Sequence, residues 1–365
     1  MIKVLETKGS PPNQVLQRQQ TEASIVRRKH IPPRFSKLES DSNFDGNTYN
    51  AQWRKKKMKI LVSYDGSTSA DAAIDGLSRG GLPRNGEALF VCVAGEGWPP
   101  TTEAAAEEVE GFVNSWKAGL HEAEKFAERA RDRFQSCYPG WSVTTEALWG
   151  SPGKAILKAA ELFVPDLIVV GSHGRSAATR LLLGSVSLGV LHHSQWPVRV
   201  EHRRGPQPTG PIRILVATDG SASAVEVVQS VSQRAWPAGT QVHVLAIMES
   251  MVPPPTLPSL EAETFRTEPA FQVILEADAR HRVRLNGVVE NAKRVLETAG
   301  LNVNAKVMEG NPRSTILSEA KASGAETIFI GARGLGILDR LLLGSVSTAV
   351  VTHAECAVEV IRHTR

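Results

Sequence analysis

The chain has 365 residues, of which 41% are hydrophobic and 22% charged, enough to bury more than one core and placing the length prior near two domains. Three cysteines, Cys92, Cys137 and Cys356, lie far apart and form no C-x-x-C pair, which argues against a disulfide framework and a zinc site and points to a reducing cytoplasm. The formal charge of +4 is uneven, with 12 Lys/Arg against 5 Asp/Glu in residues 1–57, and no apolar run approaches the roughly 20 residues that span a bilayer.

Residues 1–57 hold Arg27-Arg28-Lys29, Arg54-Lys55-Lys56-Lys57 and two Pro-Pro pairs without a sustained apolar period, so this segment reads as a disordered basic extension. No apolar stretch follows the arginine pair, so a signal peptide is not expected, nor is nucleic acid as a partner.

From residue 58 onwards one pattern is written twice. The first copy predicts strands at Lys59–Tyr64, Ala88–Val93, Ser142–Ala147, Leu167–Val170 and Val198–Glu201. Between them fall helices at Ser69–Ser78, within Thr102–Gln135, at Pro152–Leu162 and at Ser185–His193. A Pro/Gly-rich linker occupies residues 203–211. The second copy, residues 212–365, predicts strands at Arg213–Thr218, Gln241–Ile247, Asn302–Val307, Thr327–Ile330 and Val358–Ile361, with helices again between them. Alternation of buried strands and helices implies two tandem α/β domains, each with a parallel sheet covered on both faces. Residues 251–268, rich in proline, read as a surface loop or a lid at the carboxyl end of the second strand.

Two constellations recur in each copy. The first strand ends in Asp65-Gly-Ser or Asp219-Gly-Ser. This segment reads equally as a helix N-cap through Ser67 or Ser221 and as an acidic contact to a base or ribose. The fourth strand runs into G-x-x-G, nine residues and G-S-V-S: Gly171, Gly174, Gly184, Ser185, Val186 and Ser187, repeated as Gly331, Gly334, Gly344, Ser345, Val346 and Ser347. Glycines at the strand end let backbone amides approach an anion closely, and the following helix offers its free N–H groups and positive dipole end. Both copies therefore predict a phosphate cradle, outside the carboxyl ends of the strands where the winding reverses. The loops differ, with Ser172-His173 and Arg175 in one against Ala332-Arg333 and Leu335 in the other, which predicts unequal affinities. His173 has no paired nucleophile and reads as a loop residue; Arg180 and Arg340 read either as phosphate neutralisers or as salt-bridge partners.

These motifs resemble the nucleotide-binding branch of the universal stress protein family, over about residues 58–202 and 212–363. The turns Gly150-Ser-Pro152 and Gly310-Asn-Pro312 also match the family pattern. The resemblance implies two Rossmann-like, adenine nucleotide alpha hydrolase-like domains of five parallel strands, ATP, ADP or AMP as ligand, and Mg²⁺ accompanying the triphosphate. It also implies that Val93 and Ile247 line the adenine pocket and that pairing occurs through the last strand, either within the chain as a pseudo-dimer or between chains as a homodimer.

Three function classes follow. The first is a regulatory nucleotide-binding protein of the stress response, acting through an unidentified protein partner. The second is a slow ATPase or autophosphorylating protein, weakened by the absence of a Walker A spacing or a kinase catalytic loop. The third is a structural adaptor with vestigial cradles. The first is favoured because two full cradles occur without an identifiable nucleophile, base or acidic metal cluster, so no catalytic or metal-ligating residue is assigned.

Overall fold

The apolar tripeptides Ile60-Leu61-Val62 and Ile214-Leu215-Val216 are fully shielded from solvent, which places the first strand of each copy in the middle of a sheet covered on both faces. The computed structural model describes residues 57–95, 106–174, 183–202, 207–250, 269–334 and 343–362, all within one compact unit, Lys57–Arg365. In chain order the first half contains β1 (Met58–Ser63), α1 (Thr68–Gly76), a 3₁₀ turn (Leu77–Arg79), β2 (Gly86–Ala94), α2 (Ala106–Cys137) and β3 (Trp141–Trp149). It continues with α3 (Pro152–Phe163), β4 (Leu167–Gly171), α4 (Ser185–His193) and β5 (Val198–Glu201). The second half repeats the order: β6 (Arg213–Ala217), α5 (Ala222–Ser232), β7 (Gln241–Met248), α6 (Pro269–Thr298) and β8 (Asn302–Glu309). It ends with α7 (Pro312–Ser323), β9 (Thr327–Gly331), α8 (Ser345–His353) and β10 (Ala357–Ile361).

Local chemistry sets the element ends. Ser67 and Ser221 cap α1 and α5, each accepting from the amide three residues on, Ala70 at 3.1 Å and Ala224 at 3.2 Å. Pro152 and Pro312 occupy the first turns of α3 and α7, where their missing N–H costs nothing. Gly324 ends α7 in the left-handed conformation, whereas α3 ends the same way on Val164, a β-branched residue at φ 52°.

The strands form one sheet in the order β3-β2-β1-β4-β5-β10-β9-β6-β7-β8. Within each half all five strands are parallel, and β5 joins β10 antiparallel, with Val198 opposite Val360 and Val200 opposite Val358. The sequence expectation of two five-stranded α/β units is met, with the last strands paired inside one chain.

Alternation along the strands sends side chains to two faces. Leu61, Val91, Ile168, Val200, Leu215, Ile328 and Val358 pack with Ile156, Leu191, Ile316 and Val350 in a single core that runs unbroken beneath both halves. The other face holds two separate cores, one around Val62, Phe90, Phe134 and Trp141, the other around Val216, Leu285, Leu296 and Phe329. Burial of each such side chain contributes roughly 1.5–3 kcal/mol, so the shared core ties the halves together strongly.

Candidate functional site

In each half the first strand lies beside the glycine-loop strand: Ile60 pairs with Leu167, and Ile214 with Thr327. Chain connection reverses at this point, so the carboxyl ends of these strands border a crevice. Asp65 and Asp219 stand there. One carboxylate oxygen of each holds the turn, Asp65 Oδ1 accepting from the Ser67 amide at 3.0 Å and Asp219 Oδ1 from the Ser221 amide at 2.9 Å. The other oxygen faces the glycine loop, so a β-carbon added to Gly174 would lie 3.0 Å from Asp65 Oδ2, and one added to Gly334 2.8 Å from Asp219 Oδ2. Capping and crevice-facing roles, left open by the Asp-Gly-Ser sequence, are thus divided among its atoms: serine caps the helix and aspartate faces the loop. Gly66 and Gly220 make this turn at φ 80° and 78°, packed against Phe126 and Val288 respectively.

The glycine loops are fastened from below. Gly171 leaves no room for a side chain, since a β-carbon would come within 2.7 Å of Ser69 Oγ; in the second half Ser223 Oγ plays the same part against Gly331 at 2.6 Å. The Gly184 amide donates to the Ser172 carbonyl at 2.7 Å and the Gly344 amide to the Ala332 carbonyl at 2.8 Å, folding each helix start back onto its loop. The Ser187 hydroxyl donates to the Gly171 carbonyl at 2.5 Å, and the Ser347 hydroxyl to the Gly331 carbonyl at 2.7 Å. These hydroxyls therefore anchor the loop. Gly184 and Gly344 are the N-caps of α4 and α8 and bring no capping side chain, so the amides of Ser185, Val186 and Ser187, and of Ser345, Val346 and Ser347, form uncapped first turns.

Beside Asp65 the structure opens a cavity of about 210 Å³, lined by Val93 and Ala94 at the end of β2, Gly119, Glu122 and Phe126 of α2, and Trp149 at the end of β3. Tyr64 also borders it. Burial, followed by the 2.6 Å hydrogen bond to Asp71, raises the Tyr64 phenol well above its ordinary range and keeps it protonated. Sequence reasoning assigned Asp65 and Val93 to this neighbourhood but not Gly119, Phe126 or Trp149. A signal was present, because a glycine inside a long helix is costly and marks close approach of another group. Here that group is the Trp149 ring.

The halves differ around this position. Val288 occupies the place of Phe126, so by the same helical count Arg284 stands where the first half has Glu122, and His281 where it has Gly119. Arg284 Nη1 donates to the Asp219 carbonyl at 3.2 Å, and its Nη2 lies 3.1 Å from His281 Nε2. In the loops, the Ser172 hydroxyl lies 2.8 Å from His173 Nδ1, whereas the second half offers Ala332 and Arg333. Ile247, the counterpart of Val93, ends near the carboxyl end of β7 and packs on the edge of the shared core.

The profile of the Universal stress protein family matches residues 57–200 and again 212–362. The chain belongs to the universal stress protein family. A universal stress protein of Mycolicibacterium smegmatis is 26% identical over 318 residues, covering 83% of this chain and 96% of the relative. A universal stress protein of Mycobacterium tuberculosis is 27% identical over 320 residues, covering 84% and 98%. Among solved structures, a universal stress protein from Archaeoglobus fulgidus superposes with a TM-score of 0.53 at 22% identity, covering 84% of this chain and 98% of that one, a likeness of fold. The family's double match coincides with the two halves of the ten-stranded sheet.

Arg175, Arg180, Leu335 and Arg340, the basic extension before residue 57, and the proline-rich segment 251–268 lie outside the described residues. Among the described residues no helix is long and apolar enough to cross a membrane, and no disulfide joins Cys92, Cys137 and Cys356.

Proposed function

We propose that this universal stress protein is a regulatory binder of adenine nucleotide, ATP or AMP, with one site per half. In the first half the phosphates rest in the loop built by Gly171, Gly174 and Gly184 and on the uncapped amides of Ser185, Val186 and Ser187, and the base enters the cavity beside Asp65 and Val93. In the second half Gly331, Gly334, Gly344, Ser345, Val346 and Ser347 take the phosphates, with Asp219 and Ile247 on the base side. The observation that carries this reading is the apposition of Asp65 with Gly174, and of Asp219 with Gly334, across a gap that any side chain on the glycine would fill. An acidic group beside amide donors recognises base or ribose while the amides and helix dipole take the anion. The residues fit such a ligand: a glycine-lined cradle and an adjoining cavity of about 210 Å³ open from the same crevice.

Among the described residues no three or more His, Cys, Asp or Glu side chains come together to hold a metal. Mg²⁺ accompanying a triphosphate would therefore be held mainly by phosphate oxygens and water, as is usual for this ion. Function then lies in occupancy and its effect on a protein partner in the cytoplasm, with hydrolysis at most slow. Isothermal titration with ATP and with AMP tests the reading; two binding events per chain are expected, and no heat with either ligand at millimolar concentration would overturn it.

A further inference from the structure

The seam between the halves is lined with buried charge, and its charges differ from one half to the other. The two copies keep a constant offset, from Gly171 to Gly331 and from Gly184 to Gly344, and the same offset takes Arg199 to Glu359. In the antiparallel pairing of β5 with β10, Arg199 lies directly opposite Glu359. The residue on the pseudo-two-fold axis is therefore an arginine in one half and a glutamate in the other, 2% and 0% exposed, with Nη1 and Oε2 3.8 Å apart. On either side, valine faces valine. Glu201 flanks Arg199 at 3.4 Å, and Arg234 pairs with Glu359, so the signs alternate along the row.

Off the axis the asymmetry continues. Arg79 of the first half grips Glu326 of the second through both nitrogens of its fork, one at 2.7 Å. The mate of that contact in a symmetric pair would join Gln233 to Asp166, which cannot form an ion pair, and the Asp166 carboxylate instead accepts from the Lys59 amide at 2.8 Å. Arg234 Nη1 donates to the Gly80 carbonyl at 2.7 Å, and Gly80 is its own counterpart position in the first half. Glu201 fits only because Gly76 has no β-carbon, which would overlap its carboxylate.

A buried ion pair adds little net stability over apolar packing, and its best-attested use is to specify one partner over another. An exposed edge strand would otherwise pair with any similar edge, and an inward charge at its centre is a known deterrent. Two first halves meeting through β5 would set arginine against arginine on the axis, and two second halves through β10 would set glutamate against glutamate. Like charges in a dry seam are the repulsive element that discrimination requires.

We propose that Arg199 and Glu359 form a charge code that restricts this seam to unlike halves: β5 accepts β10 and rejects the β5 of a second chain. The full-length Arg199→Glu and Glu359→Arg chains test it, because each alone places like charges on the axis in every available pairing, within or between chains. Mixed, every pairing between the two chains is unlike. Separately, each should scatter X-rays as a more extended particle than the parent. Mixed in equal amounts, they should form a two-chain complex by sedimentation, at least tenfold tighter than the self-association of either. A reversed chain as compact as the parent, or a mixture that does not associate, overturns the code. The charge-neutral Arg199→Gln/Glu359→Gln chain guards against simple misfolding. It should keep the parent's far-ultraviolet dichroism and its compact scattering; a neutral chain as extended as the reversed ones would trace their opening to lost contacts, and the code is wrong.

Discussion

The ring of Trp149 lies against Gly119, so close that a β-carbon on the glycine would come 2.8 Å from Cζ3. This contact shapes the cavity beside Asp65. Gly119→Leu places a branched side chain where the cavity is open and displaces the indole, while improving helix propensity by up to about 1 kcal/mol. Folding stability should change little and the first half should lose AMP at least tenfold, leaving one binding event per chain by titration. Two unchanged events would show that the cavity is not where the base sits.

Gly174→Val and Gly334→Val each fill the gap between a glycine loop and its aspartate. Each variant should lose one of two binding events, and the double variant both, with thermal unfolding of the unliganded protein close to that of the parent. Binding that survives in the double variant would detach the ligand from these loops.

Val164 holds a left-handed backbone at φ 52° and its side chain is half exposed, whereas its counterpart Gly324 adopts φ 64° without penalty. Such strain costs of order 1–3 kcal/mol, against which Gly loses chain entropy and a little burial. Val164→Gly should therefore stabilise the protein by about 1 kcal/mol in urea unfolding, and a loss of stability would contradict the strain.

Helix α7 is capped by Asn311, whose Oδ1 accepts from the Arg313 amide at 3.0 Å, while Ser151 at the start of α3 makes no capping bond. Asn311→Ala should cost about 1 kcal/mol and Ser151→Ala only a few tenths. Equal losses in chemical denaturation would remove the distinction.

His243 on β7 and His192 on α4 are partly buried, and burial, first among the causes, holds both below the ordinary histidine value. Around His243, Glu319 opposes the shift while Lys306 and Arg213 add to it; around His192, His193 and Arg362 add to it. Because the folded state binds these protons less readily than the unfolded chain, their contribution is complete above about pH 6.5 and declines as the pH falls through the lowered values. Unfolding free energy should drop between pH 7.5 and 5, and the His192→Gln/His243→Gln chain should show a shallower drop. An identical slope would place the acid sensitivity elsewhere.

Much of this architecture can be read from the residues alone. The twin apolar tripeptides, the twin Asp-Gly-Ser turns and the twin glycine loops specify the sheet order around the crevice, because each is a local pattern with a fixed backbone consequence. The predicted strands differ from the observed ones only by one to two residues at their ends, where pairing partners decide how far the ladder continues. Gly119, Phe126 and Trp149 were harder to place. They come from two elements far apart in sequence, and an amphipathic helix announces which face is buried without saying what it meets. The Arg199–Glu359 pairing was likewise hidden, since a charge within an apolar strand acquires meaning only once the opposing register is known.

The antiparallel junction has a further geometric result. Since every strand of one half runs against every strand of the other, the two glycine loops emerge at opposite rims of the common sheet. No single flat surface of another macromolecule can cover both mouths at once, so a binding partner that reads occupancy must read one half at a time or wrap around the rim.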